Sequence, residues 1–125
     1  MNLERALARA MLSGMFIRGG YHAAMEPGER VALTEKSGLP KPEVMVRLNG
    51  TLMVLGGILL ALGIKEKHAA LLLAACLIPT TYVGHNFWDE ESDQARDLQL
   101  TQFMKNVAML GGLLAIVADD RRSAA

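Results

Sequence analysis

The chain has 125 residues, with 13 basic and 13 acidic side chains, so its formal net charge is zero. This length is typical of one domain, and because the sequence contains no basic run, nothing indicates a nucleic-acid partner. A single cysteine excludes a disulfide or a CxxC redox pair within one chain. The hydrophobic fraction of 51% also fits a soluble protein, so the class depends on how the apolar residues are arranged.

Four apolar stretches alternate with polar loops. They lie at about residues 5–25, 43–64, 68–88 and 98–118. A helix of about 20 mostly apolar residues spans a bilayer core of about 30 Å, so each stretch predicts a transmembrane helix. Their apolar residues surround the whole helix, whereas a helix of a soluble bundle has a polar face. The first stretch is the weakest, since Arg9 and Arg18 interrupt it. Arg18 and His22 also interrupt the apolar core of a signal peptide, so we expect this stretch to remain in the mature protein.

These stretches predict an all-α fold, an antiparallel bundle of four transmembrane helices that forms a single integral membrane domain over residues 1–125. In the first loop, Pro27 favours the start of a helix and Gly38 and Pro40 favour its end. We therefore expect a short interfacial helix at about residues 28–37. The acidic loop at 89–97 is predicted to be a solvated connection between antiparallel neighbours.

The positions of the basic residues predict the orientation in the membrane. One face has Arg5, Arg9, Lys65, Lys67, Arg121 and Arg122, and the other has Arg30, Lys36, Lys41 and Arg96. Because cytoplasmic loops carry the excess of Lys and Arg, six basic residues against four place both termini in the cytoplasm of a multi-pass protein of the cell membrane.

Small residues also recur at four-residue spacing, which predicts close helix packing. They are Ala6, Ala10 and Gly14; Gly57 and Ala61; Ala70 and Ala74; and Gly111 and Ala115.

Polar residues interrupt all four stretches near the same predicted end of the bundle. They are Arg18, His22, Arg47, Asn49, His85, Lys105 and Asn106. Because ionisable groups inside hydrocarbon are costly, their convergence on one level predicts a ligand-binding site, which we call the polar layer. Snorkelling of long cationic side chains toward head groups is an alternative explanation, and it accounts well for Arg47. On a continuous helix, Thr81, His85 and Asp89 would share one face.

The polar layer contains three fixed cations and no carboxylate. It therefore needs either loop acids or a ligand that accepts hydrogen bonds. A metal is not expected, because the nearby cations oppose a divalent ion. Quinones, phospholipid head groups and small sulfur oxyanions all fit, so the residues fix no cofactor, and a quinone is the one we consider. No Ser, Cys or Thr stands at a diagnostic spacing from a histidine, so hydrolysis is not predicted.

Three segments resemble the DoxX family of small four-helix bacterial membrane proteins, in the form common among actinobacteria. They are VRLNGTLMVLGGILLALG, LIPTTYVGHNFW and QFMKNVAMLGGLLA, and the resemblance extends over nearly the whole chain. Many DoxX relatives have a glutamate near the position of Asn49. The resemblance implies a membrane-embedded, redox-associated role. Relatives include a subunit of an archaeal thiosulfate:quinone oxidoreductase, and DoxX in mycobacteria is linked to a membrane complex with superoxide dismutase and a sulfurtransferase. The resemblance to the DoxX family implies no catalytic motif.

We therefore expect an accessory or ligand-binding membrane subunit that binds a quinone-like or anionic amphiphile. One alternative is a quinone-linked oxidoreductase subunit that acts on sulfur compounds. Another is a purely structural subunit that binds a protein partner, with its cations paired to Glu26, Glu29 or Asp89. The expected partners are membrane lipid and a redox protein complex, and the sequence is compatible with oligomerisation.

Overall fold

The computed structural model describes the backbone of residues 2–124 and the side chains of residues 2–119. Its elements are α1 (Leu3–Met25), α2 (Glu29–Lys36), α3 (Pro42–Leu62), α4 (Glu66–Gly84), a 3-10 turn (Phe87–Asp89) and α5 (Asp93–Ala124). The described residues form helices and no strand, so the all-α prediction is confirmed. A helix is also present where the first loop predicts one, and its interfacial location stays a prediction.

Three segments within the described residues are long and apolar enough to cross a membrane. They are Pro42–Leu62, Glu66–Asp89 and Asp93–Asp119. Helix α1 has a sufficient length of 23 residues, but Arg9, Arg18 and His22 lower its hydropathy. Three helices thus have the length and composition that the four-span prediction requires, and α1 as a fourth span stays a prediction.

The core lies where the four long helices meet. Phe16 of α1, Leu60 of α3, Leu73 of α4 and Leu113 of α5 are fully buried in one apolar cluster. The connections from α1 to α3 and from α4 to α5 lie at one end of the bundle, which we call the loop face. The first turns of α1, the part of α5 near Asp119 and the turn between α3 and α4 lie at the other end, which we call the termini face. The placement of the termini in the cytoplasm stays a prediction.

Helices α1 and α3 approach each other most closely at two glycines. A Cβ atom on Gly50 would lie 2.6 Å from the backbone oxygen of Gly20, and a Cβ on Gly20 would lie 2.6 Å from the oxygen of Gly50. In contrast, a Cβ on Gly14 or Gly111 would meet nothing within 4 Å. The predicted small-residue rows of α1 and α5 therefore do not pack against another described residue at these glycines, while Gly57 of α3 does pack against Ile17.

Two helix ends differ from the sequence prediction. Helix α4 ends at Gly84, because His85 leaves the helical conformation with φ −129° and ψ 48° and a 3-10 turn follows. The prediction that Thr81, His85 and Asp89 share one helical face is therefore wrong. Helix α5 begins at Asp93 instead of near residue 98. Its first turn is capped by Ser92, whose Oγ accepts a hydrogen bond from the backbone N–H of Ala95 at 3.1 Å.

Candidate functional site

Arg47 of the predicted polar layer links α3 to α1. Its Nη1 donates to the backbone oxygen of Ala24 at 2.7 Å, near the end of α1 where carbonyls lack helical partners. Its Nε donates to Oε1 of Glu43 at 3.2 Å, and its Nη2 lies 3.1 Å from the same oxygen. A carboxylate from the first turn of α3 therefore balances this cation, which is one of the two arrangements expected from the sequence.

The two asparagines of the polar layer join helices to one another. Nδ2 of Asn49 on α3 donates to Oγ1 of Thr80 on α4 at 2.8 Å. Nδ2 of Asn106 on α5 donates to Oγ1 of Thr81 on α4 at 2.9 Å, and Asn106 is only 5% exposed. The neighbouring threonines thus receive one hydrogen bond from each flanking helix. Such interhelical bonds satisfy polar groups inside a membrane bundle.

We expect Asn106→Ala to lower the free energy of unfolding by about 1 kcal/mol, since interhelical hydrogen bonds in membrane proteins average below that and the lost side chain also leaves a small void. Unfolding by a denaturing detergent in mixed micelles, followed by circular dichroism, measures this change. Thr101→Ala on the exposed side of α5 serves as the control and should change the stability little. An Asn106 variant as stable as the wild type would show that this bond does not hold the helices together.

The other four residues of the polar layer do not converge. Arg18 and Lys105 are exposed, and no described residue forms a hydrogen bond or ion pair with either. His22 is partly exposed, with Nδ1 3.9 Å from Oε2 of Glu26. Nδ1 of His85 lies 2.9 Å from Oε1 of Gln99, which ties the end of α4 to α5. Ligand binding at the seven residues stays a prediction, and neither of the two cavities described below is lined by any of them.

A cleft of about 250 Å³ opens on the loop face between α2 and the end of α4. We call it the α2–α4 cleft. It is lined by Leu33, Lys36 and Ser37 from α2 and its end, and by Tyr82, Asn86, Trp88 and Asp89 from the opposite wall. Its lining combines a cation, an anion, two aromatic rings and neutral hydrogen-bonding groups.

Local structure fixes the α2 wall of the cleft. Thr34 is buried, and its Oγ1 donates to the backbone oxygen of Arg30 at 2.7 Å, so α2 turns this side toward the bundle. The hydroxyl of Ser37 donates to the oxygen of Leu33 at 3.0 Å. The chain then reverses at Gly38, whose φ of +84° is readily adopted only by glycine. Lys36 is left exposed at the cleft, with no hydrogen bond or ion pair to a described residue.

An aromatic cluster fixes the opposite wall. The ring of Trp88 lies 5.6 Å from that of Tyr82 and 5.2 Å from that of Phe87, measured between centroids. The ring of Phe87 lies 5.3 Å from that of Phe103 on α5, in an edge-to-face arrangement. Such pairs are favourable beyond the area they bury, so they hold the 3-10 turn against α5. Trp88 remains 44% exposed and lines the cleft.

A second cluster of polar side chains lies at the termini face. Nη1 of Arg9 on α1 donates to Oε1 of Glu66 on α4 at 3.2 Å, with the two side chains 10% and 27% exposed. Nε of Arg9 and Oγ of Ser13 are buried without a hydrogen-bond partner among the described residues. Arg5, one helical turn earlier, forms an ion pair with Asp119 of α5. These two pairs join α1 to α4 and α5.

The comparison with known proteins identifies the family. The DoxX family model matches residues 5–86, which is more than half of the 125 residues. The chain belongs to the DoxX family. No curated protein and no solved structure matches it. Family membership and three apolar helices of membrane-spanning length identify a membrane protein.

The family match includes the α2 wall of the cleft but ends at Asn86, before Trp88 and Asp89. In this DoxX family member, Tyr82 and Asn86 of the opposite wall thus lie inside the matched region, and Trp88 and Asp89 lie just past it. The predicted residues Lys105 and Asn106 also lie outside it. The cleft therefore combines residues inside the family match with residues outside it.

The cleft has the chemistry of a head-group site. An ammonium group and an indole N–H donate hydrogen bonds, a carboxylate accepts them, and exposed aromatic rings offer flat apolar surfaces. Nδ2 of Asn86 donates to Oδ2 of Asp89 at 3.1 Å, which holds that carboxylate in place. Among the described residues, no group of three His, Cys, Asp or Glu side chains could hold a metal ion.

Sequence reasoning did not assign the key cleft residues to a site. It used Lys36 only as one of the basic residues that predict the orientation in the membrane. The sequence contains no signal that would place Lys36 and Trp88 on opposite walls of one cleft, because their placement depends on how α2 packs against α3 and α4. Arg9 and Glu66 were likewise missed as a pair, because their contact joins α1 to α4 across a long sequence separation.

Proposed function

We propose that this DoxX family member is a non-catalytic membrane subunit that binds the head group of a quinone-like or anionic amphiphile and supports a membrane redox process. The observation that carries the proposal is the α2–α4 cleft, which places the Lys36 ammonium group opposite the exposed rings of Tyr82 and Trp88. We place the proposed site in this cleft and not in the polar layer, because the asparagines and Arg47 of that layer form hydrogen bonds between helices.

The charges of the cleft support a ligand that accepts hydrogen bonds. Lys36 lacks an acidic partner among the described residues, so a carbonyl or anionic oxygen would give its ammonium group a strong hydrogen bond. Asp89 on the other wall accepts a hydrogen bond from Asn86 and has capacity to accept a second from a ligand hydroxyl. A quinone and its reduced form present an accepting carbonyl and a donating hydroxyl, respectively.

The surface of α4 below the cleft favours a ligand with an apolar tail. Tyr82 is exposed beside the cleft, and Ile78, one helical turn deeper on α4, is 57% exposed. Residues four apart lie on the same helical face, so these side chains form a continuous apolar path from the cleft toward the membrane interior. A tail along α4 would allow the head group to occupy the cleft without entering the packed core.

Tryptophan fluorescence tests the proposal directly, since Trp88 is the one tryptophan of the sequence and lines the cleft. A short-chain benzoquinone is expected to quench its emission to a saturating level. Lys36→Ala should raise the Kd about tenfold, because a hydrogen bond to a charged group contributes about 1.5–3 kcal/mol. Lys105→Ala, an exposed cation outside the cleft, is the matched control and should leave the Kd unchanged.

The outcomes separate the cleft from its alternatives. Quenching that rises without saturation, and equally in wild type and Lys36→Ala, would show quinone dissolved in the micelle and no site. An effect of Lys105→Ala without an effect of Lys36→Ala would return the site to the polar layer. Competition by phosphatidylglycerol but not by phosphatidylcholine would identify an anionic head group as the ligand in place of a quinone.

A purely structural subunit is the second candidate. It is favoured by the interhelical hydrogen bonds of Asn49 and Asn106, which use polar residues for packing. This function predicts no saturable quenching and no lipid or quinone retained in native mass spectrometry. It also predicts that the chain is recovered from gently solubilised membranes with a stoichiometric protein partner.

A further inference from the structure

Arg18 is a cation at membrane depth that the chain itself does not neutralise. It lies seven residues before the end of α1 at Met25, which corresponds to about 10 Å at 1.5 Å per residue. Its neighbour Gly20 packs against Gly50 and Val54 of α3, inside one of the three segments able to cross a membrane. Arg18 is exposed and has no ion-pair or hydrogen-bond partner among the described residues.

The direction of α1 makes snorkelling difficult for Arg18. Side chains on a helix tilt toward its N-terminus, and α1 runs from the termini face to the loop face. The side chain of Arg18 therefore starts toward the membrane interior, away from the nearer head groups. Lys105 is different, because α5 runs in the opposite direction and its side chain starts toward the loop face. Of the two exposed cations of the polar layer, Arg18 is the one that requires a partner within the membrane.

An apolar groove lies along α1 and begins at Tyr21, about one helical turn after Arg18. It has a volume of about 300 Å³ and is open to the surroundings between α1 and α3. Its lining residues are Tyr21, Ala24, Met25, Thr51, Val54, Leu55 and Ile58. Arg18, Tyr21 and Met25 are all exposed and recur at three- and four-residue spacing, so they lie on one face of α1. We call the groove together with Arg18 the α1–α3 docking surface.

The chain cannot supply the carboxylate that Arg18 lacks. No Asp or Glu occurs in residues 6–25, 44–65, 67–88 or 98–118. A second copy in the same orientation would thus bring another Arg18 to this depth and no acid. Charge complementarity therefore requires a different polypeptide. We propose that the α1–α3 docking surface binds a transmembrane helix of another protein that has an Asp or Glu at the depth of Arg18.

Designed transmembrane peptides test this inference. Leu- and Ala-rich helices with one Glu about 10 Å from the loop-face end, or with Gln at the same position, are reconstituted with the purified chain in phosphatidylcholine bilayers. Energy transfer between labelled partners measures association. The Glu peptide is expected to bind about tenfold more tightly than the Gln peptide, and moving the Glu by two helical turns should remove that preference.

Variants of the chain assign the preference to Arg18. Arg18→Gln should abolish the difference between the two peptides, Arg18→Lys should retain most of it, and Lys105→Gln, the matched exposed cation, should leave it unchanged. Filling the groove with Leu55→Trp should weaken both peptides alike. Quinone quenching of Trp88 should be unaffected by Arg18→Gln, so this inference and the proposed function fail separately.

Several outcomes would overturn the inference. Equal binding of the Glu and Gln peptides, or a preference that persists in Arg18→Gln, would show that Arg18 does not recognise an acid. Association between two copies of the chain that disappears in Arg18→Gln would make a second copy the occupant. A preference that appears in neutral bilayers but vanishes in phosphatidylglycerol bilayers would assign Arg18 to lipid phosphate.

Discussion

Glu66→Ala is expected to lower the free energy of unfolding by about 3 kcal/mol, because it leaves a buried guanidinium without its counterion. The side chain of Arg9 is only 10% exposed, and it forms an ion pair with Glu66. Arg9→Leu should cost less, since the carboxylate of Glu66 is 27% exposed and can be hydrated after the cation is removed. Unfolding by denaturing detergent in mixed micelles, followed by circular dichroism, gives both values.

A double variant distinguishes the cost of an unpaired buried charge from the cost of lost side-chain contacts. Arg9→Leu/Glu66→Leu should be more stable than Glu66→Ala, because removing both charges also removes the cost of burying one alone. Arg5→Ala is the matched control on the same helix, where the paired side chains are 42% and 50% exposed. An exposed pair contributes less than about 1 kcal/mol. If Arg5→Ala were as destabilising as Glu66→Ala, burial would not be the reason.

The sequence predicts the existence of the helices better than their ends. Long apolar runs are sufficient to predict α3, α4 and α5, because the hydrocarbon core demands that length. The apolar run of α4 continues to Trp88, however, so composition does not reveal the break after Gly84. The start of α5 at Asp93 lies within a strongly acidic loop, where a polar composition conceals a helix capped by Ser92.

The polar layer shows why depth along a helix is easier to predict than direction around it. Arg47 does reach α1, and Asn49 and Asn106 do reach α4, as expected for residues at one level. A helix that is apolar on all sides gives no indication of which side faces its neighbours. Arg18 and Lys105 therefore fit the predicted depth, yet both lie on the outer surface.

The α2–α4 cleft shows that the packing of a short helix in a loop is equally difficult to predict from the sequence. The sequence predicts α2, but the contact that places Lys36 opposite Trp88 depends on how α2 packs against α3 and α4. Neither periodicity nor composition contains this information. Small-residue spacing is similarly ambiguous, since Gly14 and Gly20 both stand on α1 and only Gly20 packs closely against another helix of the chain.

Gly50→Val is expected to destabilise the bundle by about 3 kcal/mol, at the upper end of the cost of overpacking. Its Cβ would lie 2.6 Å from the oxygen of Gly20 and 2.8 Å from the backbone nitrogen of Ala24. Backbone atoms of a helix cannot yield as a flexible side chain does, so α1 and α3 must move apart. That movement should also break the bond from Arg47 to the Ala24 oxygen, which is 2.7 Å long.

Gly111→Val is the matched control, because a Cβ at that position on α5 would meet nothing within 4 Å. Its stability should remain within about 0.5 kcal/mol of the wild type, as expected for a surface substitution.

An Arg47→Gln variant tests whether Gly50→Val breaks the hydrogen bond from Arg47 to the Ala24 oxygen. If separation of α1 from α3 already breaks the Arg47 bond, adding Arg47→Gln to Gly50→Val should cost less than adding it to the wild type. Equal costs in the two backgrounds would show that the crossing at Gly50 does not control this end of the helix pair.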